Sequence, residues 1–185
     1  EIREAVEEGI TANLADAETL GELFIQLRGL EIPVIAAVHG RALAGGSGLA
    51  AACDMVVASS EAEFGFPEVS IGFVPAMVIA IVRRAVGEKH AFELVATGDR
   101  IDADRAREVG LVNRVFPAEA FDDRTEEFVA GLTENSATAM TLTKKLLYQV
   151  DGHSFESAIQ AGAEMNALAR LTEDCREGIA RFLES

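Results

Sequence analysis

The sequence is short of the groups that proteins use to hold metals and nucleic acids. Its 185 residues include three histidines, two cysteines, one tyrosine and no tryptophan. His39, His90 and His153 fall at no metal-ligand spacing, so no metal site is assigned. Cys53 and Cys175 are far apart and form no CxxC pair, so no disulfide is expected, and the chain suits a reducing, cytoplasmic compartment. Cys53 stands in an alanine-rich run and reads as a buried free thiol. Basic residues are also scarce: 16 Lys and Arg face 31 Asp and Glu, a formal charge of -15. Phosphate-backbone binding runs on basic excess, so nucleic acid is excluded as a main partner, and an anionic membrane surface with it. There is no signal-peptide pattern and no apolar run long enough to span a bilayer. There is no initiator Met, and the abrupt opening at Glu1 reads as that of a fragment. Any anionic ligand needs local cations, for which Arg41, Arg83, Arg84 and Lys89 are the candidates in the first half.

What is present is a core. The chain is 49% hydrophobic, enough for one domain with an appendage. Residues 1–15 are acidic and weakly amphipathic. Asp16 reads as a cap for a helix whose apolar face is Leu20, Leu23, Phe24, Leu27 and Leu30. Val34 to Val38 is an unbroken apolar run, the pattern of a strand covered on both faces. Gly40 ends it, and Gly46, Gly48 and the following alanines open a short helix of small side chains that closes at Asp54. Met55 to Ala58 is the next strand and Glu63 to Phe66 a short one, which leads through Pro67-Glu68 into a loop to Pro75. Two helices follow, stopped by Gly87 and Gly98. Asp102 caps Ala103 to Val109, and Leu111 to Phe116 reads as a strand. After Pro117 only helices are predicted, at about 119–135, 137–150, 154–171 and 173–183. The expected division is therefore 1–116 and 117–185, an α/β core and a helical region.

The glycine turn invites three comparisons. Gly40-x-x-x-x-Gly45-Gly46-Ser47 is one residue from a phosphate loop, but Gly46 stands where the lysine belongs. Gly46-Ser47-Gly48-Leu49-Ala50-Ala51 fits a dinucleotide fingerprint, yet no clear second strand–helix unit follows at Glu68. Ser47 lacks the flanking glycines of a hydrolase nucleophile elbow. What survives is generic: peptide N–H groups at the start of a helix, open to an anion or a developing oxyanion. Glu68 is the sharper residue. It stands among Phe64, Phe66, Val69, Ile71 and Phe73, and apolar surroundings are where general bases work near neutrality. A solvated turn residue after Pro67 is the competing reading.

Four segments in order, IPVIAAVHGRALAGGSGLAAACDMVVAS, EFGFPEVSIGFVP, TGDRIDADRAREVGLVNRVFP and LTKKLL, resemble the enoyl-CoA hydratase/isomerase, or crotonase, family from Pro33 to about Phe182. The resemblance implies a crotonase-like α/β spiral of ββα units followed by a helical trimerisation region. It implies an acyl-CoA thioester substrate, with coenzyme A part of that substrate and no separate cofactor. The expected assembly is a homotrimer or a dimer of trimers. It implies that Gly45 N–H is one of two donors that hold the thioester oxygen as an enolate, and that Glu68 is the catalytic carboxylate. It marks Ala44, Gly45, Gly48, Pro67 and Phe73 as substrate-binding positions.

Three departures from the family pattern shape the expected chemistry. Hydratases of the family carry a second glutamate on the helix after the glycines, and Gly48 stands at that position here. Addition of water wants two carboxylates, whereas moving a double bond from the 3- to the 2-position wants one base. Isomerisation is therefore slightly favoured over hydration, and decarboxylase or dehalogenase members that place their acid elsewhere stay open. Asp54 ends the same helix but lies beyond the turn that would face Glu68. Second, the resemblance begins after the family's Ala-Gly-Ala-Asp segment, source of the other oxyanion N–H, so that part of the core is expected to be absent. Third, Pro75-Ala76-Met77-Val78 replaces a glycine-rich helix start, which points to an apolar acyl group. A non-catalytic acyl-CoA-binding module is the alternative of another class.

Overall fold

The computed structural model describes residues 9–184. Most of the expected weak helix or loop at 1–15 lies outside the described residues. Two compact units divide the chain: Glu1–Arg28 with Val34–Asp122, and Gly29–Pro33 with Asp123–Ser185.

The first unit opens with helix α1 (Ile10–Gly29). It starts earlier than the expected cap, and Asp16 is an exposed residue within it. Strand β1 (Ile35–Val38), β2 (Arg41–Leu43) and helix α2 (Gly45–Ala52) follow. Next come β3 (Met55–Ser59), β4 (Glu63–Gly65), a 3-10 turn (Pro67–Ile71) and helix α3 (Ala76–Thr97). The unit ends with β5 (Arg100–Asp102), α4 (Ala103–Glu108) and β6 (Arg114–Phe116). Two three-stranded sheets result, ordered β1-β3-β6 and β2-β4-β5. Each of the first two ββ pairs sends one strand to each sheet, so the chain winds as a spiral. All pairings are parallel except β4 with β5.

The centre of the first sheet is β3, whose Val57 and Ala58 are fully buried. The expectation that Val34 to Val38 is covered on both faces does not hold. Among the described residues β1 is an edge strand, and its Ala37 is exposed. Strands β2 and β5, three residues each and both paired with β4, were not expected from the sequence. The strand expected over 111–116 shortens to Arg114–Phe116, while Leu111 and Val112 are buried in the core. Helix α3 breaks at Gly87, as its glycine predicts: φ 75° and ψ 163° are far from helical values. Asp102 caps α4, its Oδ1 accepting from the Arg105 N–H at 2.8 Å. Cys53, expected buried, is half-exposed.

The second unit carries most of α5 (Phe121–Thr133) and all of α6 (Ala137–Gln149), α7 (Phe155–Ala169) and α8 (Glu173–Glu184). Helix α6 packs on α7 and α8. It also anchors the 29–33 segment: Thr141 Oγ1 donates to Glu31 O and Lys144 Nζ to Ile32 O. Among the described residues no helix is long and apolar enough to cross a membrane.

Candidate active site at two parallel strand ends

Strands β2 and β4 run parallel with Leu43 opposite Gly65, so both release their chains at the same end of the sheet. After β2 the chain enters α2 at Gly45. After β4 it enters the 3-10 turn that carries Glu68. The two exits are stitched together. Ala44 N–H donates to Gly65 O at 2.9 Å. The fully buried Ser47 hydroxyl donates to Ala42 O at 2.6 Å and accepts from Gly65 N–H at 3.1 Å. Ser47, dismissed as a nucleophile, is thus the clamp between the two turns.

Ala44 turns strand into helix within one residue. Its φ of 51° and ψ of −122° make it the one non-glycine residue with positive φ among those described. Such a backbone is strained, and strain of this kind persists where the surroundings enforce it. Gly45 follows as the first residue of α2, where an N–H has no intrahelical acceptor and lies at the positive end of the helix dipole. No side chain caps this helix start.

Glu68 is buried, at 8% exposure, which excludes the solvated-turn reading. The 3-10 turn that carries it starts with Pro67 and is tied within itself. Phe73 N–H donates to Glu68 O at 2.9 Å, Gly72 N–H to Val69 O at 3.1 Å, and Ser70 Oγ to Pro67 O at 2.6 Å. Gly98 closes in from outside. A methyl group placed on it would lie 3.3 Å from Val69 Cγ2 and 3.4 Å from Pro67 Cα, and its φ of 67° favours glycine independently. The backbone of Glu68 is therefore fixed, while its Oε2 is buried with no hydrogen-bond partner among the described residues. Burying a polar oxygen unpaired destabilises a fold, so its retention calls for another reason.

The apolar environment expected around Glu68 is only partly right. Phe64 and Phe66 are fully buried, but Ile71 and Phe73 are 67% and 65% exposed. Ala44, Gly45, Gly48, Pro67 and Glu68 gather at the two strand ends, and Phe73 stands at the surface beyond them. Gly48 is enclosed: a methyl group on it would lie 2.6 Å from Val78 Cγ2 and 3.3 Å from Phe24 Cζ. Neither neighbour is near in sequence, so nothing local signals the contact. Asp54 is committed elsewhere, accepting from the Val34 N–H at 2.6 Å. Among the candidate cations, Arg41 pairs with Glu63 and Arg83 with Glu88. The described residues hold no His, Cys, Asp and Glu cluster suited to a metal.

A buried carboxylate and an uncapped helix start, following neighbouring parallel strand ends on a spiral of ββα units, define a class of α/β spiral protein. Comparison with known proteins agrees. The chain superimposes on an enoyl-CoA hydratase from Mycobacterium smegmatis with a TM-score of 0.92 and 32% identity, over 96% of this chain and 69% of that one. It is 40% identical to a putative enoyl-CoA hydratase from Thermus thermophilus over 99% of its own length and 72% of the relative's. It is 35% identical to the 2,3-dehydroadipyl-CoA hydratase of Escherichia coli over all of its length and 72% of the relative's. The profile of the family described as enoyl-CoA hydratase/isomerase matches residues 1–185. The chain belongs to the enoyl-CoA hydratase/isomerase family and has the crotonase fold.

Proposed function

We propose that this chain is the catalytic part of an acyl-CoA enzyme in which the Gly45 N–H holds the thioester oxygen and Glu68 carries the proton. The observation that carries the reading is the buried Glu68 carboxylate, with Oε2 unpartnered, on the strand end next to the one that opens into Gly45. In a 3-enoyl thioester, Glu68 takes a proton from the α-carbon. The electron pair moves through the carbonyl, and the resulting dienolate oxygen accepts from Gly45 N–H. The protonated Glu68 then returns the same proton two carbons on, which leaves the double bond at the 2-position. One carboxylate suffices for both transfers. A donor of this kind is worth about 2.7–4 kcal/mol in the transition state.

Ala44, Gly48, Pro67 and Phe73 complete the substrate-binding side, and the Pro75-Ala76-Met77-Val78 segment suits an apolar acyl group. Coenzyme A enters as part of the substrate, with no further cofactor. The working state is a homotrimer or a dimer of trimers in the cytoplasm. The names of the Thermus thermophilus and Escherichia coli relatives, both hydratases, support a second reading, addition of water to a 2-enoyl thioester.

The test offers 3-enoyl-CoA and 2-enoyl-CoA separately to the intact protein. Isomerisation of the first without hydration of the second is the expected result. Hydration of the second that survives Glu68→Gln overturns the one-base reading. No turnover of either, with retained acyl-CoA binding, supports a binding module instead.

A further inference from the structure

The enclosure of Gly48 has a specific cause. Val78 lies in the first turn of α3 and is 3% exposed; Phe24 of α1 is 4% exposed. Together they occupy the direction in which a side chain at position 48 would leave the backbone, and Val78 is the nearer by far. A contact of 2.6 Å between carbon atoms is well inside van der Waals separation, so even an alanine at 48 forces Val78 or the helix that carries it to move. Without the Val78 γ-carbons, the nearest remaining atoms are Phe24 Cζ at 3.3 Å and Val78 Cβ at 3.5 Å, close to ordinary contact.

We infer that Val78 is the specificity-determining residue of this site: it fills the place from which a second carboxylate on α2 would act. The inference rests on the proton-transfer role given above to Glu68. It adds that the chain does not merely lack a carboxylate at Gly48. It has built an apolar plug there, so one substitution at 48 does not install a second acid. Gly48 and Val78 form one determinant, and the choice between one-base and two-carboxylate chemistry needs both to change.

The test is a melting cycle with Gly48→Ala, Val78→Ala and the double variant of the intact protein, together with hydration of 2-enoyl-CoA by Gly48→Glu and by Gly48→Glu/Val78→Ala. Gly48→Ala is expected to lower Tm by about 4–10 °C, and in the Val78→Ala background the same change is expected to lower it far less. Gly48→Glu/Val78→Ala is expected to gain hydration of 2-enoyl-CoA above the parent's background rate, by up to the roughly 10²–10⁴-fold that one added acid or base supplies, while Val78→Ala alone shows no gain. Gly48→Ala melting with the parent, or equal losses in both backgrounds, overturns the plug. A folded Gly48→Glu/Val78→Ala variant with unchanged hydration overturns the specificity claim. Should that variant not fold, the alanine cycle decides alone. The melting readout needs no turnover, so a parent inactive on every acyl-CoA would count against Glu68 and leave the plug standing or falling on its own.

Discussion

The two units of this chain are held together by opposite means. In the first, the core is closed and the decisive contacts are between backbone groups and small side chains. Ser47 joins two strand ends, Ala44 bends under strain, and Gly48 lets Val78 and Phe24 approach. Every fully buried apolar side chain among the described residues lies in this unit. Large apolar side chains are exposed in both units, with Ile10 87% and Phe92 71% exposed in the first and Phe155 76% and Phe182 79% in the second, but among the described residues none is buried in the second. Among the described residues its one buried polar residue is Lys144, tied to Ile32 O. A closed core can fix a carboxylate to a fraction of an ångström, which proton transfer needs. An open helical face is the kind of surface that subunit contacts cover. The buried Glu68 carboxylate belongs to the first unit, so substitutions in the two units should separate in their effect on the proposed chemistry.

The largest expected effect is at Glu68. Glu68→Gln should lower kcat on the productive acyl-CoA by about 10²–10⁴-fold, the usual contribution of a positioned base. Its Tm should not fall, because Oε2 has no hydrogen-bond partner among the described residues for the change to break. Steady-state kinetics with thermal melts of the same samples check both halves. A loss of activity in step with a loss of Tm would make Glu68 structural and erase the contrast between the units. Next comes Ala44→Val. A β-branched residue at φ 51° should destabilise the fold by about 1–3 kcal/mol and tilt the Gly45 peptide. It should therefore lower kcat beyond what the fall in folded fraction explains, while Ala44→Gly keeps more activity. Ser47→Ala is smaller. It leaves the buried Gly65 N–H and Ala42 O without their side-chain partner, at about 1–3 kcal/mol, or about 3–10 °C in Tm.

These residues also mark how far the sequence could be read. The residues around Glu68 left a buried base and a solvated turn residue level, and its burial, which decides between them, needed the fold. The Gly87 break and the Asp102 cap were legible, since a glycine and a short acceptor act on their own neighbours. Strands β2 and β5 were not, because Arg41-Ala42-Leu43 and Arg100-Ile101-Asp102 carry no apolar run of their own and are made strands by pairing with β4. Ser47 was visible only as a poor match to a nucleophile motif. Its true role depends on Gly65, 18 residues on, being brought alongside by strand pairing. The meaning of Gly48 was half legible. The missing carboxylate could be seen from the family pattern, but the plug that replaces it comes from residues 24 and 78 and needs the fold. Local chemistry was readable, whereas chemistry made by close approach was not.

The smallest effect lies in the second unit and tests the contrast from the other side. Asp174, in the first turn of α8, accepts from Ser136 Oγ and from the Thr138 N–H. Ser136 in turn caps α6 by accepting from the Ala139 N–H at 3.0 Å. The Ser136 hydrogen bond, followed by those of Thr138, holds the Asp174 carboxyl below its ordinary range. A carboxyl that is more acidic when folded stabilises the fold at pH values above its unfolded pKa of about 3.9. That contribution is lost as pH falls through the lower, folded value. Asp174→Asn should therefore lower Tm slightly at neutral pH, and the gap should close in acid. Because Asp174 is only half-buried, the gap should also be modest and should shrink with salt. Thermal melts across pH check the sign. Acyl-CoA turnover per folded molecule should not change, because the residue helps to position helices of the second unit and holds no group of the site. A change in turnover at constant Tm would show that the helical unit reaches the chemistry after all.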